Sequence, residues 1–351
     1  MIIINASFLC RNLTGIERFA FEICKRLDYL IQKDEIWMYV PHNAKKIPDY
    51  KNIKIIVSEK ELTSFPVWDH FIFSKFVKKN QGISLGFANV TSLFTPGYVF
   101  IHDIYAKLYP SDFVGFKDKL RRFYMCWMYR HAARRAKKIF TVSEFSKRQI
   151  TETYRISSDR ISVIPNGWEH FESVNSDPSI FESFPQLKKG EYYFTLGSLQ
   201  KRKNLKWILK YAMKNPSEKF AISGKVINGM QSDELSALKK LPNVILLGYV
   251  SDENVKSLMQ NCKAFVFPSY YEGFGIPPLE ALSVGAKIIV GNAASLPEIY
   301  KGTALYIDPY STDCTIKELL KKKTDAPDMV LSEYTYDKAA KKLYNVLKEV
   351  L

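Results

Sequence analysis

The chain has 351 residues, 46% of them hydrophobic, which is long for one core and comfortable for two domains of ordinary size. Its formal net charge of +15 implies an anionic partner, and no apolar run approaches the roughly 20 residues of a membrane-spanning helix. The five cysteines, Cys10, Cys24, Cys126, Cys262 and Cys314, are odd in number and widely spaced, as reduced thiols of a cytoplasmic protein would be; no CxxC or Cys/His cluster offers a zinc site.

In chain order, the opening MIIINASFLC lacks the length and basic lead of a signal peptide and reads as a first strand. Short apolar runs then predict strands at 2–7, 36–41, 54–58, 83–87, 98–102, 138–142 and 161–165. Amphipathic spacing predicts helices near 15–31, 66–79, 115–135 and 144–154. Residues 169–190 break this rhythm with Ser, Pro, Asp and Gly, so domain 1–169 is expected to end there and 170–190 to be a linker. A second series of strands follows at 192–197, 219–224, 244–248, 263–268, 287–291 and 304–307, within a domain expected over 191–330. The last segment, 331–351, carries helical spacing around lysine pairs. Two strand-helix series of this kind predict an α/β protein of two Rossmann-like, doubly wound domains facing a central cleft, with ligands at the carboxyl ends of the strands.

Within the first series, residues 115–138 interleave Lys and Arg with Phe116, Phe123, Tyr124, Met125, Trp127, Met128 and Tyr129. That is the makeup of a basic helix lying on an anionic membrane surface. An ordinary helix with packed aromatics and solvated charges has the same composition. His102-Asp103 ends the strand before it and points at the carboxyl edge. His42, His70, His131 and His170 match no motif and read as ordinary packing or surface residues.

The most specific stretch lies in the second series, Ser269-Tyr270-Tyr271-Glu272-Gly273-Phe274-Gly275-Ile276-Pro277-Pro278-Leu279-Glu280. It follows the apolar, β-prone KAFVFP, a strand buried on both faces. Gly273 and Gly275 permit a tight turn and close backbone approach, and Pro277 and Pro278 suit the first turn of a helix. A helix start of this kind seats phosphate. Glu272 in the loop and Glu280 one turn into the helix gain nothing from a bare phosphate, but a carboxylate accepts hydrogen bonds from sugar hydroxyls. A ligand joining sugar to phosphate accounts for both. Arg202 and Lys203, between a strand with its Gly197 and the helix from Asn204, place cations at the same edge, where a diphosphate leaving group would be neutralised.

The E-x7-E spacing of Glu272 and Glu280 within PSYYEGFGIPPLEALSVG resembles the signature of retaining glycosyltransferase family 4, whose members have the GT-B fold. The resemblance continues through Leu196 to Leu205, Pro165-Asn166-Gly167, Leu247 to Asp252, Ser295 to Glu298 and Thr14 to Arg18, in the family's order along nearly the whole chain. It implies that Lys203 and Arg202 bind the donor pyrophosphate and that Glu280 binds the nucleotide ribose. Glu272 and His102 would lie by the donor sugar at the transfer centre. The loops holding Gly273, Phe274, Gly275, Ser198, Tyr249 and Gly15 would meet the donor. Many family members have arginine directly after the glycine, where this chain has Ser198, so Arg202 is expected to carry the second positive charge. The terminal helix 331–351 is expected to return to the N-terminal domain.

The same resemblance implies retention of anomeric configuration by front-face displacement, without a cofactor. No Asp-x-Asp metal motif occurs, so metal-independent transfer is expected. The expected partners are a nucleotide sugar, with GDP-mannose first, a glycan or lipid-linked acceptor, and an anionic membrane surface met through 115–138. The expected place is the cytoplasmic face of a membrane. A sugar-nucleotide epimerase of the same fold is a competing reading, as is a basic nucleic-acid-binding protein. Against the latter, no nucleic-acid module is present and the charge gathers at an aromatic helix.

Overall fold

Among the described residues, thirteen short strands, nearly all apolar and rich in Ile, Val and Phe, assort into parallel sheets because such runs bury both faces only when helices cover each side. The computed structural model describes residues 1–196, 200–224 and 233–351, the side chains of Asp233 and Glu234 aside. Its chain forms two compact units, Met1–Gly167 with Tyr334–Leu351, and Trp168–Glu333.

The first unit contains β1 (Ile2–Asn5), β2 (Ile36–Val40), β3 (Lys54–Val57), β4 (Ile83–Gly86), β5 (Tyr98–Phe100), β6 (Lys138–Thr141) and β7 (Ile161–Val163). They are all parallel, in the order β3-β2-β1-β4-β5-β6-β7. The order reverses between β1 and β4, so the loops leaving those strands diverge and open a crevice at the carboxyl edge. Val99, Ile101, Tyr129, Ala132, Ile139 and Ile150 fill one side of the sheet, fully buried. The helix Tyr336–Leu347 belongs to this unit and lies against the helix Ile16–Leu27. Its buried Tyr336, Ala339, Ala340 and Leu343 recur at helical spacing, and Arg26 Nε donates to Asp337 Oδ1 at 2.5 Å.

The second unit contains β8 (Tyr192–Leu196), β9 (Lys219–Ser223), β10 (Val244–Gly248), β11 (Ala264–Phe267), β12 (Ile288–Gly291) and β13 (Leu305–Ile307), again all parallel, ordered β10-β9-β8-β11-β12-β13. Its switch point lies between β8 and β11. On one face Trp207, Ile208 and Tyr211 of the helix Leu205–Lys214 pack on Val266, Ile289 and Ile307. Residues 170–190, read from their composition as a linker, fold within this unit. Ile180 and Leu187 are buried, and Lys256 Nζ donates to the carbonyls of Phe171, Glu172 and Val174 at 3.0, 3.1 and 2.7 Å.

Candidate active site

At the β8/β11 switch point the two diverging loops bring their charged residues together, although these stand about seventy positions apart in the chain. Arg202 and Lys203 occupy a one-turn 3-10 helix, Lys201–Lys203, which Asn204 ends in the left-handed conformation at φ 59°. Asn204 Nδ2 donates to the carbonyls of Pro268 at 2.9 Å and Pro309 at 2.7 Å, pinning this turn to the ends of β11 and β13. Asparagine suits the position because its short amide tolerates positive φ and reaches nearby main chain. Tyr270 N donates to Arg202 O at 3.1 Å, so the loop after β11 is tied to the same turn.

Glu272 is buried, and its carboxylate accepts from Arg202 Nη1 at 2.8 Å and from Lys203 Nζ at 2.7 Å. Burial alone would push its pKa up. The charges of Arg202 and Lys203, with the hydrogen bond from Lys203, outweigh that and hold it below the ordinary carboxylate range. Lys203 also stands 4.7 Å from the centre of the Phe267 ring, a further restraint on its ammonium. Two cations on one carboxylate leave one net positive charge fixed at the sheet edge.

The loop around Glu272 is shaped by Gly275, whose φ of 90° admits few other residues. A Cβ there would also lie 2.7 Å from Leu296 Cδ2. Ser295 Oγ donates to the carbonyls of Glu272 and Phe274 at 3.0 and 3.2 Å, and the Tyr300 hydroxyl donates to the carbonyl of Gly275. Phe274 itself is buried. The helix Ile276–Ser283 then begins with prolines in its first turn, and Glu280 rides on it. Glu280 Oε1 lies 2.8 Å from Nε2 of His170, both side chains being nearly inaccessible. Sequence reasoning set His170 aside, and assigned nothing to Asn204, Ser295 or Tyr300. The only signal for His170 was its place just after Pro165-Asn166-Gly167.

Other expected residues fall elsewhere. Tyr249 follows Gly248 at the end of β10 and is 68% exposed, while Ser198 lies outside the described residues. In the first unit, Gly15 adopts φ 50° and starts the helix Ile16–Leu27, with Arg11 Nη1 3.2 Å from Glu17 Oε1 beside it. His102 is buried just past β5. Its main-chain N donates to Asn89 Oδ1 at 2.7 Å, and Nε2 lies 2.9 Å from the carbonyl of Phe87. Burial pushes its pKa down to about 4, against the opposing pull of the Phe87 carbonyl and Asp103. The ring is therefore neutral near pH 7, with Nε2–H donating to Phe87 and Nδ1 as its acceptor. Asp69, which no motif marked, is buried near the end of β1, where it accepts from Asn5 Nδ2 at 2.6 Å. Burial pushes its pKa up to about 7 despite that bond and the Arg11 charge.

The basic helix, Phe116–Arg135, divides along its length. Met128, Tyr129, Ala132 and Ala133 are buried in its second half, whereas Phe116, Leu120, Phe123 and Trp127 are exposed, Phe116 by 82%. Those four stand at i, i+4, i+7 and i+11 and so line one face. Arg122 is not part of the open surface, for its Nε donates to the carbonyl of Ala106 at 2.9 Å. Among the described residues, no helix is long and apolar enough to cross a membrane, and no group of three His, Cys, Asp or Glu side chains gathers as a metal site would need.

Known proteins resemble both halves of the chain. The family model described as glycosyltransferase family 4 matches residues 13–170, and that described as glycosyl transferases group 1 matches 176–338. The O-antigen chain mannosyltransferase B of Escherichia coli is 30% identical over 60% of this chain, a match that spans 57% of that protein. The O-antigen chain mannosyltransferase RfbU of Salmonella typhimurium is 28% identical over 71% of this chain and 68% of its own length. Among solved structures, sucrose-phosphate synthase from Thermosynechococcus elongatus superposes with a TM-score of 0.73 at 12% identity, covering 99% of this chain and 98% of that one, which extends the likeness in fold to nearly the whole molecule. With its two parallel sheets and two adjoining family matches, the chain belongs to the family 4-like glycosyltransferases of GT-B fold.

Proposed function

We propose that this protein is a retaining, metal-independent transferase that moves a hexose, mannose from GDP-mannose first, to a glycan or lipid-linked acceptor in surface polysaccharide assembly. The observation that carries the reading is the trio of Arg202, Lys203 and Glu272 at the β8/β11 switch point. Positive charge fixed in advance at the edge where a nucleotide ligand would lie is what a departing diphosphate requires, and it costs no reorganisation at the moment of reaction. The naming of both relatives as O-antigen mannosyltransferases supports the sugar and the setting.

In this reading Lys203 and Arg202 hold the diphosphate, Glu272 accepts hydrogen bonds from donor-sugar hydroxyls and Glu280 from the ribose. Gly273, Phe274 and Gly275 let the main chain approach the donor, and Tyr249 borders it. The acceptor oxygen bonds to the anomeric carbon as the bond from that carbon to the phosphate oxygen breaks. The acceptor's proton passes to the departing diphosphate on the same face. Glu272 is unsuited to be the nucleophile, since both of its oxygens are already engaged by cations.

A thermal-shift panel of UDP, GDP, CDP and dTDP sugars, followed by a transfer assay in excess EDTA, tests this. GDP-mannose at 100 times its dissociation constant is expected to add about 2.7 kcal/mol of stability, and transfer to persist without metal. A preference for another nucleotide sugar would reassign the donor, and complete, metal-reversible loss of transfer would defeat metal independence.

The exposed stripe Phe116, Leu120, Phe123 and Trp127, flanked by exposed Lys117, Lys119, Arg121 and Arg130, supports a second element of the reading. This face rests on an anionic membrane on the cytoplasmic side, where a lipid-linked acceptor is reached. Each basic residue near such a surface contributes about 1 kcal/mol at low ionic strength. Replacing Lys117, Lys119, Arg121 and Arg130 by glutamine should abolish sedimentation with anionic liposomes while sparing nucleotide affinity. Failure of the wild type to sediment at low salt would refute membrane contact.

A further inference from the structure

We infer that His170 is a positioning residue for nucleotide recognition, holding one carboxylate oxygen of Glu280 so that the other is presented to the ribose hydroxyls. The inference rests on the assignment of Glu280 to the ribose under the proposed function. At 2.8 Å from Oε1, Nε2 of His170 must carry the proton of this bond, because an ionised carboxylate only accepts. With Oε1 engaged, Oε2 is the oxygen left for a ligand, and the ring fixes the carboxylate's rotation. Little water competes for the bond, since the His170 side chain is only 3% exposed and that of Glu280 13%.

Both ends of the bond are held in place. His170 lies in the one-turn helix Glu169–Phe171, whose exit is gripped by the Lys256 ammonium through the carbonyls of Phe171, Glu172 and Val174, and Phe171 is buried beside it. Ser173 Oγ donates to His170 O at 3.1 Å. On the other side Glu280 is carried by the helix Ile276–Ser283, whose start is fixed by Gly275 and the Tyr300 hydroxyl. An acid reading a diol gains from this arrangement, because a carboxylate fixed before binding loses less freedom when the ligand arrives.

The test is calorimetric titration of GDP and of 2′,3′-dideoxy-GDP into the wild type and into His170→Ala, His170→Asn and His170→Gln. The wild type should prefer GDP by about tenfold or more, the scale of a hydrogen bond to a charged group. His170→Ala should bring that ratio close to one while leaving affinity for the dideoxy nucleotide unchanged. Glutamine, whose amide nitrogen reaches the position of Nε2, should restore the preference, and the shorter asparagine should not. This last pair decides the matter if the alanine variant does not fold. Full preference retained in both His170→Ala and His170→Asn, or equal loss for both nucleotides, would overturn the positioning role. Absence of any preference in the wild type would show instead that the ribose assignment itself is wrong, and the inference falls with it.

Discussion

At the carboxyl edge of the first sheet, His102 and Asp69 are buried with main-chain and amide partners, and burial drives each toward its neutral form. At the same edge of the second sheet, Glu272 is buried as deeply but is held ionised by Arg202 and Lys203. The two units share a topology and differ in how they treat a buried charge. Where no counter-ion is supplied, the group gives up its charge; where two are supplied, it keeps it. The first unit thus carries neutral hydrogen-bonding groups at this edge and the second a fixed charge.

The largest expected effect tests the neutral side. Asp69 has an ordinary pKa of 3.8 that burial raises to about 7, so its contribution is fully present below 3.8 and is lost as pH rises through 7. Urea unfolding should therefore show the wild type losing about 3 kcal/mol relative to Asp69→Asn between pH 4 and pH 7, at up to about 1.36 kcal/mol per pH unit and less near either pKa. His102 acts in the opposite sense. Its pKa is depressed from 6.5 to about 4, so its contribution is present above 6.5 and lost as pH falls toward 4. A wild-type curve parallel to that of Asp69→Asn over this range would mean that Asp69 titrates alike in the folded and unfolded chain, and the contrast between the sheets would disappear.

On the charged side, Glu272→Ala is expected to lower turnover about a hundredfold, the scale of removing a preorganised group from a transition state, while sparing affinity for the diphosphate. A smaller change is expected from Glu280→Ala, which should weaken the diphosphate itself about tenfold, because the ribose remains in that fragment. Equal losses of diphosphate affinity in both variants would erase the distinction between a sugar-binding and a ribose-binding acid.

Much of this arrangement was legible in the sequence. Apolar runs located the strands to within a residue or two, because a strand buried on both faces carries its signal in every position; the run read at 263–268 is β11, Ala264–Phe267. Arg202, Lys203 and Glu272 stand in the loops that follow β8 and β11, and Glu280 on the helix after β11, so a parallel topology that gathers strand ends at one edge marked all four. Contacts between distant segments were not. The partner of Glu280 stands 110 positions away, and apart from its place after Pro165-Asn166-Gly167 nothing in the sequence around His170 distinguishes it from a packed histidine. Likewise Asn204 acts by pinning Pro268 and Pro309, a role set by the close approach of three loops. For the helix Phe116–Arg135, composition left open a membrane-lying surface and an ordinary helix with packed aromatics. Its second half is packed and Arg122 is bonded to Ala106, because a helix that shields a sheet must give up part of its length to the core.

Recognition of a diphosphate by the cations at the β8/β11 switch point can be read by titrating GDP and GMP into the wild type and Lys203→Ala. The wild type should prefer the diphosphate, and the substitution should cut that preference about tenfold or more, the worth of a charge-assisted hydrogen bond, while affinity for the monophosphate changes little. An unchanged ratio of the two affinities in Lys203→Ala would contradict the account.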